Sequence, residues 1–417
     1  MEKSHLFFYL HLLIGYLWRR VEMIVTVKKL KRSALSCTVI SIAIVVITGC
    51  QDRPYTAGKG LLNKITEDDS SLICPKYAKG FRWEEKDQSY SLILTDPWKP
   101  GRVFARYHLV AGDMDKGKRE GVNDIVIPVS SVAASSTTHA AFLSAIDAGD
   151  LLTGCNNPEK LYDSVLYDRF VRGDLVRMGR DLEYNLEYLV AKKPDVVLQS
   201  GLEGQFDPDS RLTDIGIPVL YILEWMEPTP LGRAEWIRVF GMLAGKRSEA
   251  DSLFNAIERD YLALADLGHS TVLKPKVLAG TDFKGTWYMP GGRNYQARFF
   301  EDAGMDYIYR QTDQAASLAL SFETVVNDLR DAPVWVGTTT DSVSRLISMD
   351  GRYSIFWALR SGRVYSITNR VNHSGGNDYW ESGVVRPDKI LADLLYIAHP
   401  ELLPGHIWNY YKPMIAD

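Results

Sequence analysis

The sequence predicts an α/β protein of two doubly wound lobes with parallel sheets, bridged by a single long α-helix. An N-terminal antiparallel strand extension is added to the first lobe. Three observations predict this. First, Ala250, Leu253, Phe254, Ile257, Tyr261, Leu264 and Ala265 recur at i, i+3, i+4, i+7 spacing between Ser248 and Gly268, the stripe of an amphipathic helix. About twenty residues at 1.5 Å rise give a rod of roughly 30 Å. Second, the segments on either side of this rod read alike. Third, each segment alternates apolar strand and helix, the pattern of a parallel sheet covered on both faces.

Taken in order, the chain opens with a region, residues 1–50, that does not belong to the fold. Lys28 to Cys50 has a basic cluster, an apolar run and a small-residue end, the signature of a secretory signal. Its end, Ile47-Thr48-Gly49-Cys50, resembles a lipobox, in which the cysteine thiol is acylated and becomes the mature N-terminus. Met1 and Met23 are both possible starts. Residues 51–78 read as a polar tether. From Lys79 to Val110, two strands joined by a turn at Pro100-Gly101 form the extension.

The first lobe spans 79–231, the bridging helical segment 232–273 and the second lobe 274–417. Asp124–Val132 matches Lys274–Phe283 as a strand, and each is followed by a loop and a helix. Asn185–Gly201 matches Ser321–Thr338 as helix then strand. Gly216–Glu224 matches Ser361–Asn369. Within the bridge, Ser248 with Asp251 suggests a capping box, and Gly268 suggests a left-handed C-cap. The helix Arg386–Leu403 is stopped by Pro400, and the aromatic tail after it is expected to pack back onto the body.

Composition narrows the function. About 365 residues follow Cys50, enough for two cores. A formal charge of −4 offers no basic surface for nucleic acid. Beyond the signal and Cys50, only Cys74 and Cys155 remain, and whether they pair is open. There is no HExxH, CxxC, GxSxG or phosphate-cradling loop. The histidines after the signal are scattered, so no metal site and no catalytic residue is assigned; His139 and His373 are the two that fall in loops near the cleft.

In doubly wound folds, ligands sit beyond the carboxyl ends of the strands. The loops there offer Thr137, Thr138 and Ser200 as hydroxyls, and Trp287, Tyr288, Tyr379 and Trp380 as flat aromatic faces. Arg180, Arg293 and Arg370 can take carboxylate or phosphate in bidentate fashion.

The lipobox, NLE-x7-PD-VVL, GIPV, a long single helix, GG-RNYQARFFEDAG and SFE-x10-VWV occur in this order. The pattern resembles the helical-backbone substrate-binding proteins of ABC importers, the ferric-siderophore, haem and vitamin B12 type, over roughly Ile125 to His399. The resemblance implies a monomer that holds its ligand between the lobes and does no chemistry on it. It implies no cofactor, only a ligand carrying iron or cobalt, and an ABC permease and ATPase as partners. It also marks Glu187 in NLE and Glu323 in SFE as permease-docking acids, one per lobe. A carboxylate in a helix's first turn also favours the helix dipole by about 0.3–1 kcal/mol, so both roles stay open.

The expected function is therefore a lipid-anchored protein, outside the membrane, that captures an iron chelate (siderophore or haem) or a corrinoid. A cobalamin-specific binder is the alternative within that class. A secreted α/β hydrolase, or a scavenging lipoprotein without a permease, are the alternatives outside it.

Overall fold

The computed structural model describes residues 72–86, 89–112, 121, 123–180, 183–204 and 210–415. The signal segment, Cys50 and the tether up to residue 71 lie outside the described residues.

The chain enters through a five-stranded sheet: β1 (Leu72–Ile73), β2 (Phe81–Lys86), β3 (Ser89–Thr95), β4 (Val103–Ala111) and β5 (Asp124–Ile127), neighbours in that order. All pairs are antiparallel except β4 with β5. The first expected strand is thus a hairpin of two. The expected strand over Asp124–Val132 also divides, with β5 in this sheet and β6 (Val132–Ala134) in the next. Pro128 stands between them with no N–H to give to a ladder.

Residues 72–78, expected in the tether, are part of the fold. Two buried carboxylates take five consecutive backbone N–H groups there. Glu235 accepts from Lys76, Tyr77 and Ala78 at 2.9, 2.7 and 2.9 Å. Glu227 accepts from Lys79 and Gly80 at 2.8 Å, and from the Trp236 indole at 2.8 Å.

The first lobe continues through α1 (Thr137–Ala145), β7 (Leu152–Asn156), α2 (Ser164–Arg172), β8 (Val176–Arg180), β9 (Glu183–Tyr184), α3 (Leu186–Lys192), β10 (Val196–Ser200), α4 (Ser210–Asp214) and β11 (Val219–Ile222). Its sheet order is β11-β10-β6-β7-β8-β9, parallel except at β9. In chain order the parallel strands run 3-2-1-4-5, so the switch point lies between β6 and β10.

Two short helices, α5 (Pro230–Glu235) and α6 (Ile237–Ala244), lead into α7 (Arg247–His269). Ala250, Phe254, Ile257, Tyr261 and Ala265 of α7 are buried, as the stripe predicts. Its ends differ from expectation. The helix starts before Ser248, and Lys246 caps it without a side-chain bond. Gly245, in the left-handed region, ends α6 instead. Gly268 is inside the helix, and its role is close packing: a Cβ there would meet the Asp302 carbonyl oxygen at 2.2 Å.

The second lobe has β12 (Val277–Ala279), β13 (Asp282–Phe283), β14 (Thr286–Met289), α8 (Tyr295–Asp302), β15 (Leu318–Ser321), α9 (Phe322–Leu329), β16 (Val334–Thr338), α10 (Val343–Met349), α11 (Trp357–Arg360), β17 (Val364–Ser366), α12 (Pro387–Ala398) and β18 (Lys412–Pro413). Its main sheet is β12-β16-β17-β18, with Asp306 bridged in parallel to Lys276 beyond β12. Strands β13, β14 and β15 form a small antiparallel sheet. The second switch point lies between β12 and β16. The pairs α3–β10 with α9–β16 and β11 with β17 hold; the strand that corresponds to β12 is β6, which shares only Val132 with the expected Asp124–Val132.

Helix α7 packs against α6, α8 and α12. Its Tyr261 hydroxyl donates to the buried Asp302 at 2.7 Å, and His269 Nε2 lies 2.9 Å from the same carboxylate. The aromatic tail does fold back: buried Asp393 accepts the N–H groups of Asn409, Tyr410 and Tyr411 at 3.0, 2.7 and 2.9 Å.

Because Gly268 abuts backbone, Gly268→Ala is expected to destabilise the protein by about 2–3 kcal/mol. At an unobstructed helical position the same change would stabilise by up to about 1 kcal/mol. Denaturant unfolding of the variant separates the two by sign.

Candidate functional site

The carboxyl ends of the parallel strands build the site. At the first switch point, Ser135 Oγ accepts the Ser200 N–H at 3.1 Å. Ser136 caps α1 by accepting the Thr138 N–H at 3.2 Å. The Thr138 hydroxyl then reaches across to Glu224, at the end of β11, at 3.1 Å. Glu224 is buried; desolvation raises its carboxyl above the usual range, while Arg233 and Thr138 pull it back.

At the second switch point a cavity of about 70 Å³ opens beside Gly280 and Gly337, which follow β12 and interrupt β16. Its walls include Tyr288, Tyr379, Trp380 and Tyr411, and no charged side chain lines it. A smaller hollow of about 10 Å³ joins the lobes, with Arg233 on one side and Tyr295 and Trp380 on the other. The Arg233 guanidinium lies over the Tyr295 ring at 4.2 Å.

The sequence-predicted residues divide. Tyr288 and Trp380 line the cavity. Thr137, Thr138 and Ser200 lie at the first switch point. Trp287 does not belong to the site: it is fully buried, donates its indole N–H to the Ala279 carbonyl at 2.7 Å, and packs among Phe322, Trp335, Tyr353 and Phe356. Strand periodicity explains this, because Trp287 and Met289 face inward on β14 while Tyr288 faces the other way.

The arginines are committed elsewhere. Arg293 is exposed, pairs with Asp313 at 3.1 Å and does not line the cavity. Arg370 pairs with the buried Asp378 at 2.6 Å and lies over Tyr162 of the first lobe at 5.0 Å. The Arg180 side chain lies outside the described residues. His139 is buried in α1, and burial pushes its imidazole down to about 3, leaving it neutral. His373 Nε2 lies 2.9 Å from the Tyr167 hydroxyl. Among the described residues, no group of three or more His, Cys, Asp and Glu side chains could hold a metal ion. Cys74 and Cys155 are both free thiols, the first exposed and the second buried.

Glu187 and Glu323 are exposed in the first turns of α3 and α9. Each helix leads into a central strand, so its N-terminus lies at the cleft end of its sheet. Asn185 and Ser321 provide the caps, and the Glu323 carboxyl is held below its ordinary range, chiefly by its own backbone N–H.

Glu224, Arg233, Tyr295 and Tyr411 were not predicted. Glu224 was within reach of sequence reasoning, since it stands two residues past the end of β11, as Ser200 closes β10. Arg233 and Tyr295 depend on packing against each other, and Tyr411 on the fold-back of the tail, neither of which a local pattern announces.

Trp287→Ala is expected to cost about 3–5 kcal/mol in stability. Tyr288→Ala and Trp380→Ala should leave thermal unfolding nearly unmoved and weaken ligand binding by about 1–3 kcal/mol each. Paired melting and titration measurements check the division; equal stability losses in all three would place Tyr288 and Trp380 in the core as well.

Comparison with known proteins agrees with this architecture. Residues 132–371, more than half of the chain, match the periplasmic binding protein family. An uncharacterized lipoprotein of Methanocaldococcus jannaschii is 26% identical over 92% of this chain and 96% of its own length. A second uncharacterized lipoprotein of that organism is 22% identical over 88% and 96%. Among solved structures, a periplasmic solute binding protein from Veillonella parvula superposes with a TM-score of 0.52 at 16% identity, covering 68% of this chain and 85% of its own. An ABC transporter solute binding protein from Sulfurospirillum deleyianum gives 0.50 at 17% identity, covering 68% and 87%. With two parallel-sheet lobes joined through one long helix, the chain belongs to the periplasmic binding protein family, in its helical-backbone class.

Proposed function

We propose that the protein captures an iron chelate or a corrinoid between its lobes and delivers it to an ABC importer, binding its ligand without transforming it. The observation that carries this reading is the aromatic-walled cavity at the second switch point, with the smaller hollow beside it where Arg233 faces Tyr295. Tyr288, Tyr379 and Trp380 give it flat surfaces suited to a planar macrocycle. The uncharged lining of the larger cavity favours a macrocycle over a strongly anionic siderophore complex, because Arg370 and Arg293 already have carboxylate partners.

Export and lipid attachment at Cys50 are supported by the signal pattern and by the two related lipoproteins. Loss of fatty-acid labelling in Cys50→Ala tests the attachment. Docking through Glu187 and Glu323 is supported by their exposure at matched positions on the two lobes. A surface acid of this kind acts on encounter rate and on the salt dependence of association more than on the stability of either partner.

Glu187→Gln and Glu323→Gln should each leave ligand affinity intact and impair uptake, with the double variant worse than either. Their cost in stability should be slight. Uptake of labelled ligand into proteoliposomes with the cognate permease is the measurement. Normal uptake by the double variant would remove docking and put the scavenger reading ahead.

A further inference from the structure

The segment that carries Tyr379 and Trp380 also ties the second lobe to the first, through residues that line neither hollow. The strap Asn369–Gly383 leaves the second lobe after β17 and lies on the first-lobe segment Glu159–Tyr167. Glu381, itself buried, accepts the Tyr162 and Asp163 N–H groups, each at 2.8 Å. The Asn372 amide donates to the Glu159 and Leu161 carbonyls at 3.1 and 2.8 Å. The Lys160 ammonium donates to the Ser374 carbonyl. Gly376 comes so near that a Cβ there would meet the Lys160 carbonyl oxygen at 1.9 Å. The turn Ser382–Val384 packs on α1.

This strap also supplies cavity wall, since Tyr379 and Trp380 line both hollows. A cavity of about 70 Å³ is well below the roughly 300–1,000 Å³ of sites that enclose a drug-sized ligand. A chelate or corrinoid needs more room than this cavity gives, and displacing the strap would supply it. The strap can move as a unit, because its turns are tied internally. Asn372 Oδ1 accepts the Ser374 and Gly376 N–H groups at 3.0 and 2.7 Å, and Asp378 Oδ1 accepts the Ser382 N–H at 3.1 Å. Most of what holds it to the first lobe is hydrogen bonding to backbone, and water can replace such bonds at modest net cost.

We propose that the strap is a latch that competes with ligand for the cleft, and that Glu381 is the residue that positions it. The competition rests on the binding-protein reading above; the latch itself does not. Breaking the latch raises the fraction of molecules able to bind, so apparent affinity must rise. A residue that merely contacted ligand would give the opposite sign when removed.

The test uses the full chain with Glu381→Gln, Glu381→Ala and Lys160→Met. In the absence of ligand, amide exchange at Tyr162 and Asp163 should accelerate about tenfold in the Glu381 variants. Exchange in strand β10 should not change. Titration with cyanocobalamin, haemin and a ferric tris-catecholate follows. For whichever probe the wild-type protein binds, each variant should lower the apparent Kd by about threefold or more. Unchanged exchange at Tyr162 and Asp163 overturns the latch. Faster exchange with weaker binding overturns the competition. Should the Glu381 variants fail to fold, Lys160→Met carries the affinity arm, since it removes the side-chain contact to the Ser374 carbonyl; an unchanged or raised apparent Kd in it overturns the competition. If no probe binds the wild-type protein, the ligand reading of the cleft falls, and exchange alone decides the latch.

Discussion

Burial of one side of α7 is the constraint on which the rest of the structure depends. Phe254, Ile257 and Tyr261 are almost wholly removed from water, and each contributes about 1.5–3 kcal/mol by burial. Their partners come from both halves of the chain: α6 belongs to the first, α8 and α12 to the second. A single rod thus fixes the distance between the lobes. Gly268 sharpens the fit by letting the Asp302 backbone approach. Asp302 adds direction, since Tyr261, His269 and Arg298 all converge on its one carboxylate. A rod held at both ends this way ties both lobes to one scaffold.

A second theme is the use of buried carboxylates to collect runs of backbone N–H groups. Glu235 and Glu227 hold the entering chain, Asp393 holds the tail, and Glu381 joins the lobes. Where the carboxylate is ionised, such bonds are about twice as strong as neutral ones. They also satisfy donors in segments that have no regular secondary structure. The four differ in what lies opposite. Three bind segments within or beside one lobe, where nothing needs to separate. Glu381 spans the cleft, and burial pushes its carboxyl up to about 8 against the pull of its two N–H donors.

Much of the fold was legible in the sequence because it rests on short-range periodicity. The stripe of α7, the strands β10 and β16 and the helices before them all follow local patterns that tertiary contacts reinforce. The misplaced features are those set by distant neighbours. Gly268 reads as a cap by position, but a backbone 34 residues on (Asp302) decides its role. Residues 72–78 read as tether by composition, while Glu227 and Glu235 draw them into the fold. The site was half legible. Tyr288 and Trp380 were found from their loops, whereas Trp287 required the alternation of a short strand to be taken into account. The arginines misled because a sequence does not show that Asp378 and Asp313 already hold two of them. Arg233 lies in the bridging segment and Tyr295 in the RNYQARFFEDAG motif, and nothing local shows that the two meet.

The central claim is that a metal-bearing chelate or corrinoid occupies the cleft between Thr138 and Trp380. The most direct measurement is the absorbance spectrum, with metal analysis, of the protein purified from its own host. A Soret band, a corrin spectrum or a ferric catecholate band with stoichiometric iron or cobalt, abolished by acid release and restored on reconstitution, is the result expected. A colourless, metal-free protein that takes up none of these chromophores on titration would contradict it.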